Sequence, residues 1–511
     1  MRSSRFFLLL FLAGLASGQT IDTGILGVVK DPPGAVIAGA VVTITQPATG
    51  FTRSVTTAPN GSYEVRYLQP GEYNLEVTMS GFKTDRHSGI VLQISQLARI
   101  DVTLQLGEVK ETVEVSSAAP VLQTENAVLG EVVARERIVN LPLNGRNFLQ
   151  LSTLTPGVVV REESNGERTR VIANGARDIW MQVNINGVTA VNNRANFVNF
   201  YPSVDAIQEF KVQSSNYSAE YGGNAGANIN MQLRAGTNQF HGSLFNFTRN
   251  DNFDARGYFR PQPLPKDILR RNQFGAVVAG RIIRDRTFFM VGYEGMRSAI
   301  ERAGTATVPT AAQRAGDYTG AAPVIDPLTG TPFPDNRIPT SRLNPVAVNI
   351  INQYMPLPNV SGAANYAGVT QNVVDIDQGL ARIDHTFSTR DQVMFHYIYS
   401  GRRFPNTDLN PNFFYNATFP NESLGFQHVH MFSPTVINEA RFGWHRGNIR
   451  KLSPRQGTDF RIEQLGIQGL RVGGPSGRPL NPDEQGFPVL GIEGMLSMGD
   501  SQASSNLDNS R

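Results

Sequence analysis

Beyond about residue 238, the sequence contains paired runs in which apolar and polar side chains alternate, and each pair flanks a very short turn. In one run, Ala381, Ile383 and Phe387 alternate with Arg382 and Asp384. Successive side chains of a strand point to opposite faces, so a period of two predicts a sheet with two different faces. The predicted antiparallel hairpins are 274–280 with 287–294, 381–388 with 393–400, and 424–432 with 437–445.

Two-faced strands of this kind fit either a membrane barrel or a secreted soluble β-protein. In outer-membrane barrels, the periplasmic turns are short and the external loops are long. The stretches 295–380 and 401–421 are rich in Pro, Asn, Asp and Gly, and we predict that both are external loops. This asymmetry of loop length favours a transmembrane antiparallel β-barrel with a lipid-facing and a lumen-facing side.

The N-terminus has the pattern of a secretory signal peptide. Arg2 and Arg5 form a short positive region, an apolar run follows from 6 to 13, and small residues occupy positions 16 and 18. We predict a signal peptide over residues 1–18, cleaved between Gly18 and Gln19. No later segment has the ~18 consecutive apolar residues of a transmembrane helix. The exported chain is therefore either soluble outside the cytoplasm or crosses a membrane as strands.

Composition excludes several classes of function. The chain has no cysteine, which excludes disulfides, iron–sulfur clusters, cysteine-ligated zinc and a cysteine nucleophile. Its formal net charge is +3 over 511 residues. This charge is too small to indicate a nucleic-acid partner.

The patterns that would carry catalysis or metal binding are incomplete. His428 and His430 share a strand face, but no third ligand is near them in sequence, and metal sites need three or four. Asp375 and Asp377 lack the glycine and terminal glutamate of a calcium loop. Ser476 lies in Gly-Pro-Ser-Gly, which differs from the nucleophile elbow of hydrolases. We therefore predict no enzymatic activity, no cofactor and no metal.

Residues 19–107 are predicted to form a β-sandwich, because about seven short strands alternate with turn signals. The region resembles the carboxypeptidase regulatory-like, transthyretin-like domain family in Gly27–Val29, Thr57–Tyr63, Leu68–Tyr73 and Gly81-Phe82. The resemblance implies an accessory sandwich, and the His-Glu-x-x-His motif of zinc peptidases is absent from the sequence. Such a domain is either a spacer or a carbohydrate-binding module.

Residues 108–236 contain four short motifs in a fixed order: Leu141–Phe148, Asn174–Arg177, Val183–Val188 and Tyr217–Asn230. With them, the region resembles the plug domain of TonB-dependent receptors, especially the Oar-like branch in which a sandwich precedes the plug. Gly280–Glu294 and Thr307–Thr310 resemble the first barrel strands and loop of the same branch. The resemblance implies a mostly β chain: an N-terminal β-sandwich, an α+β plug domain, and the N-terminal part of an outer-membrane β-barrel over residues 237–511.

One segment is a candidate TonB box, the stretch through which such receptors engage TonB. It is the short alternating run Glu111, Thr112, Val113, Glu114 and Val115. An extended segment can pair as an added strand with the edge of a partner sheet, with main-chain hydrogen bonds supplying the affinity. The alternative is an ordinary strand of the sandwich or the plug.

The resemblance implies a receptor in the cell outer membrane that binds an external ligand and admits it to the periplasm. Its implied partners are a TonB-type energising protein, outer-membrane lipid, and a ligand such as an oligosaccharide or a siderophore. The alternative is a cell-surface adhesion or carbohydrate-binding protein. Plugged transporters have about 22 strands, more than the ~270 residues after 238 supply at about ten per strand. We therefore expect a C-terminally truncated fragment, with a shorter barrel as the alternative.

Overall fold

The computed structural model describes residues 23–108, 112–116, 128–162, 169–192, 198–217, 221, 225–258, 266–433, 436–455, 458–467, 486–500 and 506–510. Its regular structure is mostly β-strand, as the sequence predicts. The expected signal peptide and its cleavage position between Gly18 and Gln19 lie outside the described residues. Within these ranges, no helix is long and apolar enough to cross a membrane.

The N-terminal unit, comprising β1 to β9, contains two sheets. One has the order β4-β1-β7 with β8 also on β1, and the other has the order β3-β2-β5-β6-β9. A single apolar core includes side chains of both, such as Ile25 and Leu75, which are fully buried. The strands are β1 (Gly24–Lys30), β2 (Val41–Gln46), β3 (Phe51–Thr56), β4 (Ser62–Arg66), β5 (Gly71–Thr78), β6 (Thr84–Leu92), β7 (Leu97–Arg99), β8 (Val102–Thr103) and β9 (Thr112–Ser116).

The middle unit, comprising β10 to β16, has a mixed sheet of order β10-β15-β16-β13-β14 and a separate hairpin of β11 and β12. Strands β15 and β16 are buried along most of their length, so they lack a solvent-facing side. The elements are β10 (Leu129–Ala134), α1 (Arg135–Asn140), β11 (Val158–Glu162), β12 (Thr169–Ala173), β13 (Gln182–Ile185), β14 (Val188–Thr189), β15 (Ile207–Ser215) and β16 (Asn228–Leu233).

The C-terminal sheet has eight strands, β17 to β24, and each pairs antiparallel with the next in chain order. Strands β17 and β24 form its two edges, so the described sheet is open. The strands are β17 (His241–Asn250), β18 (Ile268–Ile283), β19 (Thr287–Ala306), β20 (Tyr366–Ser388), β21 (Asp391–Thr407), β22 (Phe414–Ser433), β23 (Val436–Leu452) and β24 (Asn506–Ser510).

The two faces of this sheet differ as the alternation predicts. The inner face contacts the middle unit, and the outer face points away from it. On β20, Arg382 and Asp384 are buried on the inner face, whereas Ile383 and Phe387 are 43% and 63% exposed on the outer face. Phe442 on β23 is likewise an exposed outer-face side chain. The outer face is therefore apolar where the inner face carries charge.

The three predicted hairpins are present, but the strands are longer than predicted. The expected loop 295–380 is wrong at both ends, because β19 continues to Ala306 and β20 begins at Tyr366. The expected loop 401–421 is reduced to residues 408–413. A span needs only about 9–11 residues per strand, so strands of 16 to 23 residues project well beyond a bilayer. Both faces of these projecting ends meet water, so the sequence there lacks the alternation of apolar and polar residues by which a strand is recognised.

The connections at the projecting ends pack together. The connection from β19 to β20 contains α2 (Ala311–Arg314) and α3 (Pro345–Tyr354), and its side chains share an apolar cluster with later loops. The guanidinium group of Arg455 lies between 5.0 and 5.9 Å from the ring centres of Tyr354, Phe413, Phe460 and Phe487. These loops therefore form a structured cap, called the loop cap below.

Candidate functional site

The middle unit packs directly against the inner face of the C-terminal sheet. Five apolar inner-face side chains belong to the same buried cluster as the core of the middle unit: Val277, Ala279, Met290, Leu380 and Ile398. All are 5% exposed or less. The sheet therefore curves around the middle unit and uses it as its core.

Polar contacts surround this apolar centre. Gln378 Nε2 donates a hydrogen bond to the backbone oxygen of Tyr201 at 2.8 Å, and Asn421 Nδ2 donates one to the backbone oxygen of Asn199 at 3.1 Å. The side chains of Asn199 and His445 are also in contact. Buried polar groups need such partners, because an unmade hydrogen bond inside a protein costs about 1–3 kcal/mol. The interface is thus a network of specific polar contacts around an apolar centre.

A cavity of about 110 Å³ lies between the middle unit and the wall formed by β18 to β21. The middle unit contributes the segment Asn144–Asn147, Glu162 and Tyr201. The wall residues come from the halves of β19, β20 and β21 that lead toward the loop cap. The charged lining residues are Arg146, Glu162, Arg271, Glu294 and Arg402. The cavity therefore offers several hydrogen-bond donors and both signs of charge on the side nearer the long loops.

Arg146 is the central cation of this cavity. It forms an ion pair with Asp205, and its guanidinium carbon lies 4.3 Å and 4.5 Å from the ring centres of Phe245 and Phe247. Glu294 Oε2 lies 3.9 Å from Arg146 Nε. Contacts with a carboxylate and two aromatic rings are what a guanidinium group is suited to make. Arg146 therefore ties the middle unit to both β17 and β19.

The backbone at this position is strained. Arg146 has φ of 53°, and the preceding Gly145 has φ of 67°. A non-glycine residue in the left-handed region costs about 1–2 kcal/mol, and such residues often mark functional sites. The side chain of Asn144 accepts a hydrogen bond from Arg271 Nη1 at 3.1 Å. The Leu-Asn-Gly-Arg sequence thus forms a tight turn that aims Arg146 across the cavity.

The N-terminal unit contacts the middle unit through β15. Glu209 on β15 accepts a hydrogen bond from the backbone amide of Ile94, and Lys211 Nζ donates one to the backbone oxygen of Ser95 at 2.9 Å. Burial raises the pKa of Glu209 to about 7 and lowers the pKa of Lys211 to about 8. The two units are thus joined through two buried ionisable side chains.

The candidate TonB box lies at the edge of the N-terminal unit. Residues Thr112–Ser116 form β9, which pairs in parallel with β6 so that Val113 is opposite Asp85. Glu111, the first residue of the candidate, lies outside the described residues. Within the described sheet β9 is the last strand, and its second edge pairs with no other described strand. The segment is therefore an extended edge strand.

The other candidate residues from the sequence lie in different parts of the structure. Asp377 pairs with Arg297 at 2.8 Å on the exposed sheet surface. Ser476 lies outside the described residues. His428 and His430 are joined by Asp391 from the neighbouring strand. The sequence does not identify Asp391 as a site residue, and it gives Arg146 only as part of the Leu141–Phe148 motif, because cross-strand register and turn geometry bring the two side chains to their places.

Two protein-family models and one curated relative match parts of this chain. The model of the family described as "Outer membrane beta barrel domain" matches residues 232–511, and that of the carboxypeptidase regulatory-like domain matches residues 24–105. The TonB-dependent transporter Oar of Myxococcus xanthus is 27% identical over 295 residues, which is 55% of this chain. The match spans only 27% of that relative's length.

Two solved structures are also similar. The outer membrane transporter YddB of Escherichia coli has a TM-score of 0.44 at 14% identity, over 64% of this chain and 40% of that one. FpvA of P. aeruginosa, solved with heterologous pyoverdines, has a TM-score of 0.37 at 11% identity, over 66% and 44% of the two chains. Because the first family model covers more than half of its residues, this chain belongs to the outer membrane beta barrel domain family, with a carboxypeptidase regulatory-like domain in front, and its place is the outer membrane.

Proposed function

We propose that this chain is the ligand-binding part of a TonB-dependent receptor that admits an external ligand to the periplasm. In this proposal the N-terminal unit is the accessory sandwich, the middle unit is the plug, and the C-terminal sheet is part of the barrel wall. The sequence divisions proposed for them are residues 19–107, 108–236 and 237–511, after a signal peptide over 1–18, although β9 of the second division pairs with β6 of the N-terminal unit. No step of this function is a chemical reaction, since the protein binds and releases its ligand.

The observation that carries the proposal is the position of the middle unit. It lies against the inner face of the sheet, and its contacts include hydrogen bonds such as those of Gln378 and Asn421 to its backbone. A folded unit held there would obstruct a lumen, so passage requires that the unit shift or partly unfold. Hydrogen bonds of this kind can be exchanged one at a time for hydrogen bonds to water. The middle unit could therefore leave the wall without breaking all of its contacts at once.

The ligand is proposed to enter from the loop cap and to meet the charged cavity. Arg146, Arg271 and Arg402 supply donors for carboxylate, hydroxyl or phosphate oxygens. Arg402 also lies over the ring of Tyr201, at 5.3 Å from its centre. Such a lining suits a polar ligand with oxygen acceptors, and both an oligosaccharide and a siderophore have this chemistry.

Energy is proposed to come from a TonB-type protein that pairs with Glu111–Val115. Among the described strands only β6 pairs with β9, and the other edge of β9 offers the main-chain groups that strand addition requires. A partner strand would add to this edge, or it would displace β6 and pull the segment away. In either case force applied at β9 reaches the plug along the chain, because the plug follows β9 in sequence.

Titration with a purified TonB C-terminal domain tests this proposal on the full chain in detergent. Val113→Pro removes an amide and should abolish binding, because proline cannot complete a strand ladder. Val113→Ile keeps both the amide and the β-branched shape, so it should bind as the parent does. In cells, Val113→Pro should also stop uptake of the ligand class that the parent imports, tested with labelled ferric siderophores and oligosaccharides. Equal TonB binding by both variants would overturn the assignment of the box, and uptake that persists without TonB would overturn the transport function.

A further inference from the structure

Three potential metal ligands meet at the end of the C-terminal sheet that carries the short turns. Asp391 is the first residue of β21, and the strand register places it directly opposite His430 on β22. His428 lies two residues before His430, on the same face. Asp391 Oδ1 is 2.5 Å from His430 Nδ1 and 3.3 Å from His428 Nε2. All three ligand atoms lie within 4.8 Å of one another, and each side chain is partly exposed on the outer face.

Neighbouring groups fix the orientation of these side chains. Ser388 Oγ donates a hydrogen bond to Asp391 Oδ2 at 3.1 Å, and it accepts one from the backbone amide of Arg390. The ring of His430 packs edge-on against Phe432, with 4.3 Å between ring centres. Supporting contacts of this kind orient ligands in metal sites and tune their affinity. The carboxylate and one imidazole are therefore held in place before any ion arrives.

We propose that Asp391, His428 and His430 bind one divalent transition-metal ion of the zinc class, with water at the fourth position. Two imidazoles and one carboxylate form the donor set of open tetrahedral zinc sites. Imidazole disfavours calcium and magnesium, which prefer oxygen ligands. With metal–ligand bonds of about 2.0–2.2 Å, neighbouring ligand atoms of a tetrahedral site lie about 3.3 Å apart. The separation of His428 Nε2 and Asp391 Oδ1 already has this value.

Binding would require only a local change. The 2.5 Å contact between His430 and Asp391 must open by a little under 1 Å, and each ligating imidazole nitrogen must be unprotonated. The ion would then link β21 to β22 beside the short turn that joins β20 to β21, at the end of the sheet opposite the 408–413 connection. The site is independent of the cavity and of TonB engagement, because its side chains lie on the other face of the sheet.

The alternative is a hydrogen-bonded cluster in which the Asp391 carboxylate bonds both histidines and no metal binds. Metal titration of the chelator-stripped full chain in detergent separates the two. Zn²⁺ should bind with a stoichiometry of one by calorimetry, and Co²⁺ should give the visible absorption of a four-coordinate ion. Asp391→Asn and His430→Ala should abolish the Co²⁺ spectrum, and Ser388→Ala should weaken Zn²⁺ affinity by about 10- to 100-fold.

His385→Ala is the matched control. His385 lies on the outer face at the same end of β20, but it bonds Thr287 and stands outside the cluster, so its loss should leave Zn²⁺ binding unchanged. Heat-modifiable migration on gels checks that every variant is folded. Folded parent protein that shows no one-to-one Zn²⁺ binding would overturn the proposal. Parent-like Co²⁺ spectra in folded Asp391→Asn and His430→Ala would overturn it equally.

Discussion

Arg382 and Asp384, two residues apart on β20, form a bidentate ion pair in which both nitrogen–oxygen distances are 2.8 Å. Arg382 is only 1% exposed, and it also donates to the backbone oxygen of Leu233 in the middle unit. Gln69 of the N-terminal unit bonds both partners, at 3.2 Å from Arg382 Nη2 and 3.0 Å from Asp384 Oδ1. All three units of the chain therefore meet at one buried ion pair.

Replacing Arg382 with methionine should destabilise the folded chain strongly. The substitution keeps much of the side-chain volume but leaves the buried carboxylate of Asp384 without its cation. Removal of one partner from a buried pair costs about 3–5 kcal/mol. Denaturant unfolding in detergent measures the change. The control is Arg86→Ala, which removes an exposed pair with Glu76 and should cost at most about 1 kcal/mol. Similar losses in both variants would contradict the central role of this contact.

Arg146 allows backbone strain to be separated from side-chain contacts. Arg146→Ala and Arg146→Gly both lose the ion pair with Asp205 and the contacts with Phe245 and Phe247. Only the glycine variant also removes the backbone strain that a side chain causes at a φ of 53°. We expect Arg146→Gly to be more stable than Arg146→Ala by about 1 kcal/mol. Paired unfolding curves test this, and a less stable glycine variant would show that the turn is unstrained.

The hairpins of the C-terminal sheet could be predicted from sequence, because a period of two is local and each turn is short. Strand length could not be predicted in the same way. Ala303, Gly304 and Thr305 continue β19 although they lack apolar alternation, since pairing with β20 supplies their backbone partners. Hydrogen bonding to a neighbouring strand is a non-local interaction, so the end of a strand cannot be predicted from its own residues alone.

The sites show the same division between local and non-local information. The spacing of His428 and His430 on one face follows from the sequence, but Asp391 joins them only through the register of β21 on β22. The alternation of the candidate TonB box predicts an extended strand. Its pairing with β6 depends on a parallel contact with a strand that lies more than twenty residues earlier in the chain.

The Glu209 contact predicts a dependence of stability on pH. Burial raises the pKa of Glu209 from 4.5 to about 7 in the folded chain. The folded state therefore holds a proton that the unfolded state has released between these values. The stability that this bound proton contributes is fully present below pH 4.5 and is lost as the pH rises through 7. The loss is on the order of 3 kcal/mol at most.

Denaturant midpoints at pH 5, 6, 7 and 8 test this dependence. Glu209→Gln should flatten the decline between pH 5 and 8, because the neutral amide does not titrate. Glu64→Gln, on the exposed surface of β4, should leave the decline as in the parent. Between pH 5 and 7 Lys211 stays mostly protonated in both states, since burial lowers its pKa only to about 8, so the comparison over these points reports on Glu209. An unchanged decline in Glu209→Gln would assign the pH dependence to other groups.

Gly27 on β1 marks a close approach to the backbone of Ile100, which lies between β7 and β8 of the N-terminal unit. A Cβ atom built there would lie 1.8 Å from the backbone oxygen of Ile100, a contact that no rotamer change can relieve. Gly27→Ala should therefore push β1 away from the neighbouring chain and cost about 1–3 kcal/mol or more. The matched control is Gly379→Ala on β20, where a Cβ would meet no atom within 4 Å. Unfolding curves of the two variants give the comparison, and the predicted close approach is contradicted if Gly27→Ala unfolds no more readily than Gly379→Ala.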